Sequence, residues 1–269
     1  MKKIIALALC LVLALSLVAC GSSASAEDKT IKVGATAAPH AEVLEVIKDM
    51  LAEDGWTLEI VEFTDYVLPN TALSEGELDA NYFQHITYMN NFNEEYGIKM
   101  VSAAGIHYEP FGLYAGKTAS VGELQEGAQI AVPNDATNEA RALLLLEQEG
   151  LITLAEGVGI NATKADIVEN PLNLEIYEAN AELLTSILQD VDMAVINGNY
   201  AIDAGLKIAD ALATEATDGT AAEAYVNVVA VMEGNENSEK IQALVKALQS
   251  DTVKAYMEET YAGAVVPLF

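Results

Sequence analysis

Between Ile31 and Tyr96 the chain passes three times from a short apolar run into a helix-period pattern, and from Gln129 it begins the same alternation again. Ile31, Val33 and Ala35 alternate as a strand. Ala37-Ala38-Pro39-His40 then turns into a helix with Val43, Leu44, Ile47, Met50 and Leu51 on one face, ended by Gly55. Leu58, Ile60 and Phe63 mark a second strand, Val67 to Ser74 a short helix, Leu78 to Asn81 a third strand, and Phe83 to Tyr96 a polar-aromatic helix. The second run reads strand Ile130 to Val132, helix Glu139 to Glu149, strand Leu174 to Tyr177, helix Ala181 to Leu188, strand Val191 to Ile196 and helix Tyr200 to Ala204. Such alternation predicts parallel strands with helical crossovers, a sheet buried on both faces, and ligands held by loops at the carboxyl ends of the strands.

The two runs are separated by apolar segments with no helix between them, Ile98 to Ile106 and Pro110 to Ala115. A further strand, Tyr225 to Met232, and two helices, Ser238 to Leu248 and Asp251 to Tyr261, end the chain. If that strand returns to the first sheet, the result is a two-lobed α/β clamshell. Each lobe is then a mainly parallel sheet flanked by helices, and two crossing strands join them. Residues 30–112 with 226–269 would form lobe 1 and residues 113–225 lobe 2. Leu78-Asp79-Ala80-Asn81 and Asp192 to Asn197 each place Asp before a short strand and Asn at its end. A common grammar of short strands explains this echo as well as an internal repeat does.

The first residues carry a different message. Lys2 and Lys3, an apolar run from Ile4 to Val18, and Leu17-Val18-Ala19-Cys20 have the order of an export signal, which assigns residues 1–19 to a signal peptide. The run is too short to span a membrane as a helix, which takes about 20 apolar residues. Cys10 would leave with the signal, so no disulfide is expected in the mature chain. With Lys2 and Lys3 gone, 11 basic residues face 41 acidic ones. Such a surface repels nucleic acid and anionic headgroups.

Arg141, the only arginine, stands just inside the helix that follows Ile130-Ala131-Val132-Pro133-Asn134-Asp135. In so acidic a chain a lone guanidinium is either one exposed ion pair among many or the fixed partner of a bound anion. The strand ends of lobe 1 offer Tyr66, Phe83, His85 and Tyr88; those of lobe 2 offer Asn138, Arg141 and Asn197, and Asn227 lies on the returning strand. An aromatic side facing an amide-rich side with one cation suits a ligand with an apolar tail and a carboxylate head, and a thioether gains from aromatic contact. The plainer alternatives are Phe83 and Tyr88 as core, His85 as a satisfied histidine, Asn197 as a turn residue before Gly198, and Asn227 as an internally bonded amide. No nucleophile elbow, zinc-protease helix, Walker loop or cysteine pair is present, and His40, His85 and His107 are not at metal-ligand spacing. The expectation is a binding protein that is not an enzyme and has no catalytic residue, cofactor or metal. A surface adhesion lipoprotein, or a zinc-dependent protein, stands as the alternative class.

Leu17-Val18-Ala19-Cys20 resembles a bacterial lipobox, which implies lipidation of Cys20 and a tether over residues 20–29. Val61 to Leu73, Asp79 to His85, Pro133 to Asn138 with Arg141 to Leu146, and Ala194 to Ala201 together resemble the methionine-binding lipoproteins of ABC importers, the NlpA/MetQ family, over about Ile31 to Phe269. That resemblance implies a type II periplasmic-binding-protein fold, anchored outside the cell membrane by lipid. It implies L-methionine as ligand, with D-methionine, a methionine dipeptide or another apolar amino acid as variants. It further implies a monomer whose partners are a membrane permease and its cytoplasmic ATPase. Arg141 would hold the ligand carboxylate, Tyr66, Phe83, His85 and Tyr88 would surround the side chain, and Asn138, Asn197 and Asn227 would hold the polar end. The chain departs from the family pattern at Ala37-Ala38, at Ala136 where proline is usual, at Tyr82 where a small residue is usual, and at Ile86-Thr87. Strand alternation places Tyr82 away from the cleft.

Overall fold

A computed structural model describes residues 29–215 and 219–269. The signal sequence, Cys20 and nearly all of the tether lie outside the described residues.

Thirteen strands form two main sheets and a small ribbon among those residues. They are β1 (Thr30–Thr36), β2 (Thr57–Phe63), β3 (Ala80–His85), β4 (Met100–Tyr108), β5 (Gly112–Ala115), β6 (Gln129–Pro133), β7 (Thr153–Leu154), β8 (Ile167–Glu169), β9 (Glu175–Ala179), β10 (Met193–Ile196), β11 (Ala213–Thr214), β12 (Asn227–Met232) and β13 (Val266–Pro267). The α-helices are α1 (Glu42–Val46), α2 (Lys48–Glu53), α3 (Leu68–Ser74), α4 (Ile86–Tyr96), α5 (Ala136–Gln148), α6 (Leu184–Ile187), α7 (Gly198–Asp203), α8 (Gly219–Ala224), α9 (Glu239–Leu248) and α10 (Asp251–Tyr261).

The first sheet has the order β13-β4-β12-β3-β1-β2 and the second β11-β5-β10-β6-β9. Within the first, β1 runs parallel to β2 and β3. Within the second, β6 runs parallel to β9 and β10. The remaining pairings are antiparallel, because β12 enters the first sheet from the second lobe and β5 enters the second sheet directly from β4. Each sheet is therefore a parallel triplet extended on one side by the strands next to the crossings. Apolar side chains cover both faces of both sheets. Ile31, Val33, Leu44, Ile47 and Leu244 pack on one face of the first, with Leu73, Phe83, Met89 and Phe92 on the other. Leu113, Ile130, Leu143 and Leu146 lie on one face of the second, with Leu184, Ala194 and Ile196 opposite. This two-lobed clamshell is the α/β architecture expected from the alternation.

One boundary differs in a way that matters for the cleft. The third strand is longer than its apolar pattern suggests and takes in Phe83 and His85, so the following helix begins at Ile86. Its partner explains the difference: Asn227 pairs with His85 and Val228 with Gln84, a non-local contact supplied by β12. The register then skips Phe83, since Val229 pairs with Tyr82. That bulge interrupts alternation beside the cleft, a common device for re-aiming a side chain. Gln84 consequently shares a face with Asn81 and donates to its Oδ1 at 2.9 Å. Tyr82 points into the core of lobe 1, fully buried and away from the cleft, as alternation requires.

Candidate functional site

All eight expected residues line one pocket between the lobes, together with Gln84, Glu109, Gly198 and Asn199. The free space among them is small, about 20 Å³ for the centre of a water-sized sphere.

Lobe 1 supplies an aromatic wall. The Tyr66 ring lies 5.8 Å from Phe83 and 5.7 Å from Tyr88, and Phe83 lies 6.3 Å from Tyr88. His85 ends β3 and caps α4: the Tyr88 backbone N–H donates to its Nδ1 at 3.0 Å. That leaves the proton on Nε2, which faces Asn138 Oδ1 across the cleft at 3.3 Å. Burial first, and then the nearby Arg141, lower the His85 pKa to about 3, so the ring is neutral at physiological pH. His85 is thus a satisfied histidine and a pocket wall at once, and the two readings left open by the sequence are compatible.

The amide groups have assigned directions because their partners are one-sided. Asp135 caps α5, accepting from the Asn138 backbone N–H at 3.0 Å and from Asn138 Nδ2 at 2.9 Å. This turns Asn138 Oδ1 toward the cleft, where Asn197 Nδ2 donates to it at 2.9 Å. Asn197 Oδ1 is left buried with no hydrogen-bond partner among the described residues. Such an orphaned acceptor costs about 1–3 kcal/mol and marks a place for a donor. Asn227 Oδ1 faces His40 Nε2 at 3.1 Å, so the Asn227 amide nitrogen is the end without a protein partner.

Arg141 is more deeply engaged than its sequence context suggests. Its Nε donates to both carboxylate oxygens of Glu215, at 3.1 and 2.9 Å, and its Nη2 donates to Glu215 Oε1 and to the Glu109 backbone oxygen, the latter at 2.6 Å. Glu215 Oε1 also accepts from Tyr108 OH at 2.6 Å and from the Phe111 backbone N–H at 2.8 Å. The guanidinium lies over the Tyr225 ring at 4.3 Å and the Phe111 ring at 4.7 Å. Burial opposes charge on both partners, yet Glu215 keeps Arg141 above its usual pKa and Arg141 keeps Glu215 below the usual carboxylate range. Of five guanidinium N–H groups, only the Nη1 pair has no protein partner among the described residues.

Behind the pocket sits a set that the sequence spacing concealed. Pairing of β4 with β12, and the turn after β1, bring His40, His107 and Glu109 together, with one candidate ligating atom from each within 4.8 Å of the others. The histidines show no metal-ligand spacing in the sequence, yet the fold brings His40 and His107 together, with their rings 5.1 Å apart. These atoms could hold a metal, but each already has a protein hydrogen bond: His107 Nε2 with Glu109 Oε1 at 2.7 Å, and His40 Nε2 with Asn227. Glu109, Glu215 and Tyr225 went unnoticed in the sequence. Two are ordinary members of an acidic majority, and only contacts across many residues distinguish them.

Hydrogen bonds across the cleft include His85 to Asn138, Tyr66 OH to Asn199 Oδ1 at 2.6 Å, and Tyr200 OH to the Thr64 carbonyl at 3.0 Å. Tyr66 and Tyr200 also stack at 5.0 Å. No helix among the described residues is long and apolar enough to cross a membrane.

Comparison with known proteins agrees with this construction. The methionine-binding lipoprotein MetQ of Bacillus subtilis is 41% identical over 275 residues, covering 100% of this chain and 99% of that protein. A lipoprotein structure from Ruminococcus gnavus is 56% identical with a TM-score of 0.88, covering 90% of this chain and 100% of the other. A nutrient-binding protein from Burkholderia cenocepacia, solved bound to methionine, is 43% identical with a TM-score of 0.84, covering 89% of this chain and 100% of the other. The family model described as NlpA lipoprotein matches residues 31–269, and the chain belongs to that family.

Proposed function

We propose that this protein is the lipid-anchored, extracytoplasmic substrate-binding protein of an ABC importer and that it closes on L-methionine between its lobes. The observation that carries the reading is the polarity of the pocket. Among the described residues Arg141 Nη1 and Asn227 Nδ2 are donors without protein partners, the buried Asn197 Oδ1 is an acceptor without one, and three aromatic rings stand beside them. Donors suit a carboxylate, the acceptor suits an ammonium, and the rings suit a thioether. The limited space favours a free amino acid over a long peptide. The relatives' methionine-binding names and the methionine-bound neighbour support the same ligand. Lipid on Cys20, delivery to a permease and a monomeric state rest on the sequence and the family.

Purified protein should be stabilised by methionine. At 100 times its dissociation constant a ligand adds about 2.7 kcal/mol, a rise in melting temperature of about 5–10 °C for a chain of this size. A panel of L-methionine, D-methionine, methionine dipeptides and leucine, followed by calorimetry, should rank L-methionine first. Absence of any shift with methionine would refute the proposal, and a higher rank for D-methionine or a dipeptide would reassign the ligand.

A further inference from the structure

The pocket's charges do not balance. Arg141 is matched by Glu215, and His85 is neutral. Glu109 is buried to 6% exposure and lines the pocket, yet none of the hydrogen bonds of Arg141 goes to its carboxylate. It accepts from His107 Nε2 at 2.7 Å and from the Asn199 backbone N–H, and His40 Nε2 lies 3.5 Å away.

Hydrogen-bond directions show that the two histidines are donors and not counter-charges. Asn227 Oδ1 can only accept, so His40 carries its proton on Nε2 and takes the Thr36 hydroxyl proton at Nδ1, 2.8 Å away. Tyr82 OH lies 2.5 Å from His107 Nδ1, and with the hydroxyl donating, the His107 proton is on Nε2 and points at Glu109. Burial lowers the His40 pKa to about 4 and the His107 pKa to about 3, which keeps both rings neutral. Neutral donors steady a carboxylate without neutralising it, while burial raises the Glu109 pKa. A cationic ligand group placed against it favours the ionised form and gives the buried charge its partner.

The pocket holds a second group of the same polarity, the orphaned Asn197 Oδ1. Gly198 follows Asn197 in the chain and packs against Glu109. A Cβ at Gly198 would come within 2.7 Å of Glu109 Cβ and 2.8 Å of Glu109 Oε2, so glycine lets the chain pass directly against the carboxylate. We infer that Glu109, oriented by His107, is the charge partner of the ligand's ammonium group and makes the site selective for an ionised primary amine. This inference rests on the reading of the ligand as a free α-amino acid.

The test compares two ligands on two proteins by calorimetry at pH 7.5: methionine and its desamino analogue 4-(methylsulfanyl)butanoate, each with wild type and Glu109→Gln. Glutamine keeps an oxygen for His107 and removes only the charge. Wild type should prefer methionine by roughly 100-fold or more, the scale of losing one partner of a buried charge pair. Glu109→Gln should lose most of that preference, with less than about a threefold change for the analogue. Equal losses for both ligands would make Glu109 a structural residue, and an unchanged preference would remove it from the ammonium site; either overturns the inference while leaving methionine binding intact. If Glu109→Gln does not fold, equal affinity of wild type for methionine and the analogue overturns it independently. A wild type that binds no methionine overturns the functional reading itself.

Discussion

The Arg141–Glu215 pair makes a prediction that separates folding from binding. Arg141 is 5% exposed and its partner's side chain 10%, and Glu215 has two further donors in Tyr108 OH and the Phe111 N–H. Replacing Arg141 by methionine preserves bulk between Phe111 and Tyr225 but strands a carboxylate that burial alone would push up in pKa. Breaking a buried pair from one side costs about 3–5 kcal/mol. Adding Glu215→Gln removes the stranded charge while keeping an acceptor for Tyr108 and Phe111. The double variant should therefore recover about 2–3 kcal/mol relative to Arg141→Met alone. Urea denaturation of wild type, both single variants and the double variant gives the coupling directly, provided the slopes agree. The pH dependence has a definite sign. In wild type the lowered Glu215 pKa contributes stability above the unfolded carboxylate value, and this is lost as pH falls through the folded one. In Arg141→Met the acid is instead raised and relieved by protonation. The gap between the two proteins should shrink from pH 7 toward pH 4. An Arg141→Met variant as stable as the double variant at pH 7 would refute the buried pair. The double variant is also the protein in which loss of ligand affinity can be read as a lost contact, since the single one confounds it with misfolding.

Two further outcomes follow from local structure. Ala136 is the exposed first residue of α5, directly after the Asp135 cap, whose φ of −83° and ψ of 144° are the extended values a following proline prefers. Ala136→Pro should stabilise the protein by about 0.4–1 kcal/mol in urea denaturation without changing methionine affinity; destabilisation would show that the helix start needs the Ala136 N–H. His107→Gln tests the neutral histidine beside Glu109. Burial holds His107 near a pKa of about 3, against about 6.5 in the unfolded chain, so its contribution is present above pH 6.5 and lost as pH falls toward the folded value. Wild type should lose stability about 1.4 kcal/mol per pH unit more steeply than the variant between pH 6 and 4; parallel curves would mean that the folded ring is protonated.

Which parts of this were legible in the sequence follows from the range of the contacts involved. The lobes could be read because each strand and helix signals its burial within a few residues. The Asp–strand–Asn echo now has a physical basis: Asp79 Oδ2 accepts from the Lys32 N–H at the start of β1, and Asp192 Oδ2 from the Gln129 N–H at the start of β6, both at 2.8 Å. Both acids thus pin a parallel neighbour at the same place in the two lobes. Arg141 was conspicuous because it is alone. Its partner was not, because Glu215 lies 74 residues away among 41 acidic residues and differs from them only in what surrounds it. Phe83 and His85 read as the start of a helix because the polar-aromatic pattern that continues to Tyr96 begins there; the strand that pairs with this stretch, β12, arrives from the far end of the chain. The pairing of His107 with Tyr82 is likewise a product of sheet order, which composition does not encode, whereas Glu109 lies only two residues from His107.

The same side chains join selectivity to closure. Arg141 belongs to α5 of the second lobe, yet its protein partners, Glu109 and Glu215, lie in the two segments that cross between lobes. Those contacts lie where the segments cross, so Arg141 is tied to the crossing and not to the mouth of the cleft. Contacts that must break on opening include those from His85 to Asn138, Tyr66 to Asn199 and Tyr200 to Thr64. Each is worth only about 0.5–1.5 kcal/mol net. Their sum falls near or below the 5.5 kcal/mol that moves a two-state equilibrium from 1:99 to 99:1. These three hydrogen bonds by themselves therefore bias closure without fixing it. His85, Asn138, Tyr66 and Asn199 also line the pocket, so a ligand that fills the aromatic wall and satisfies Asn197 Oδ1 adds its binding energy at the seam itself. A ligand that misses either end leaves an acceptor buried or an apolar gap, and the closed form loses the contribution that would make it dominant.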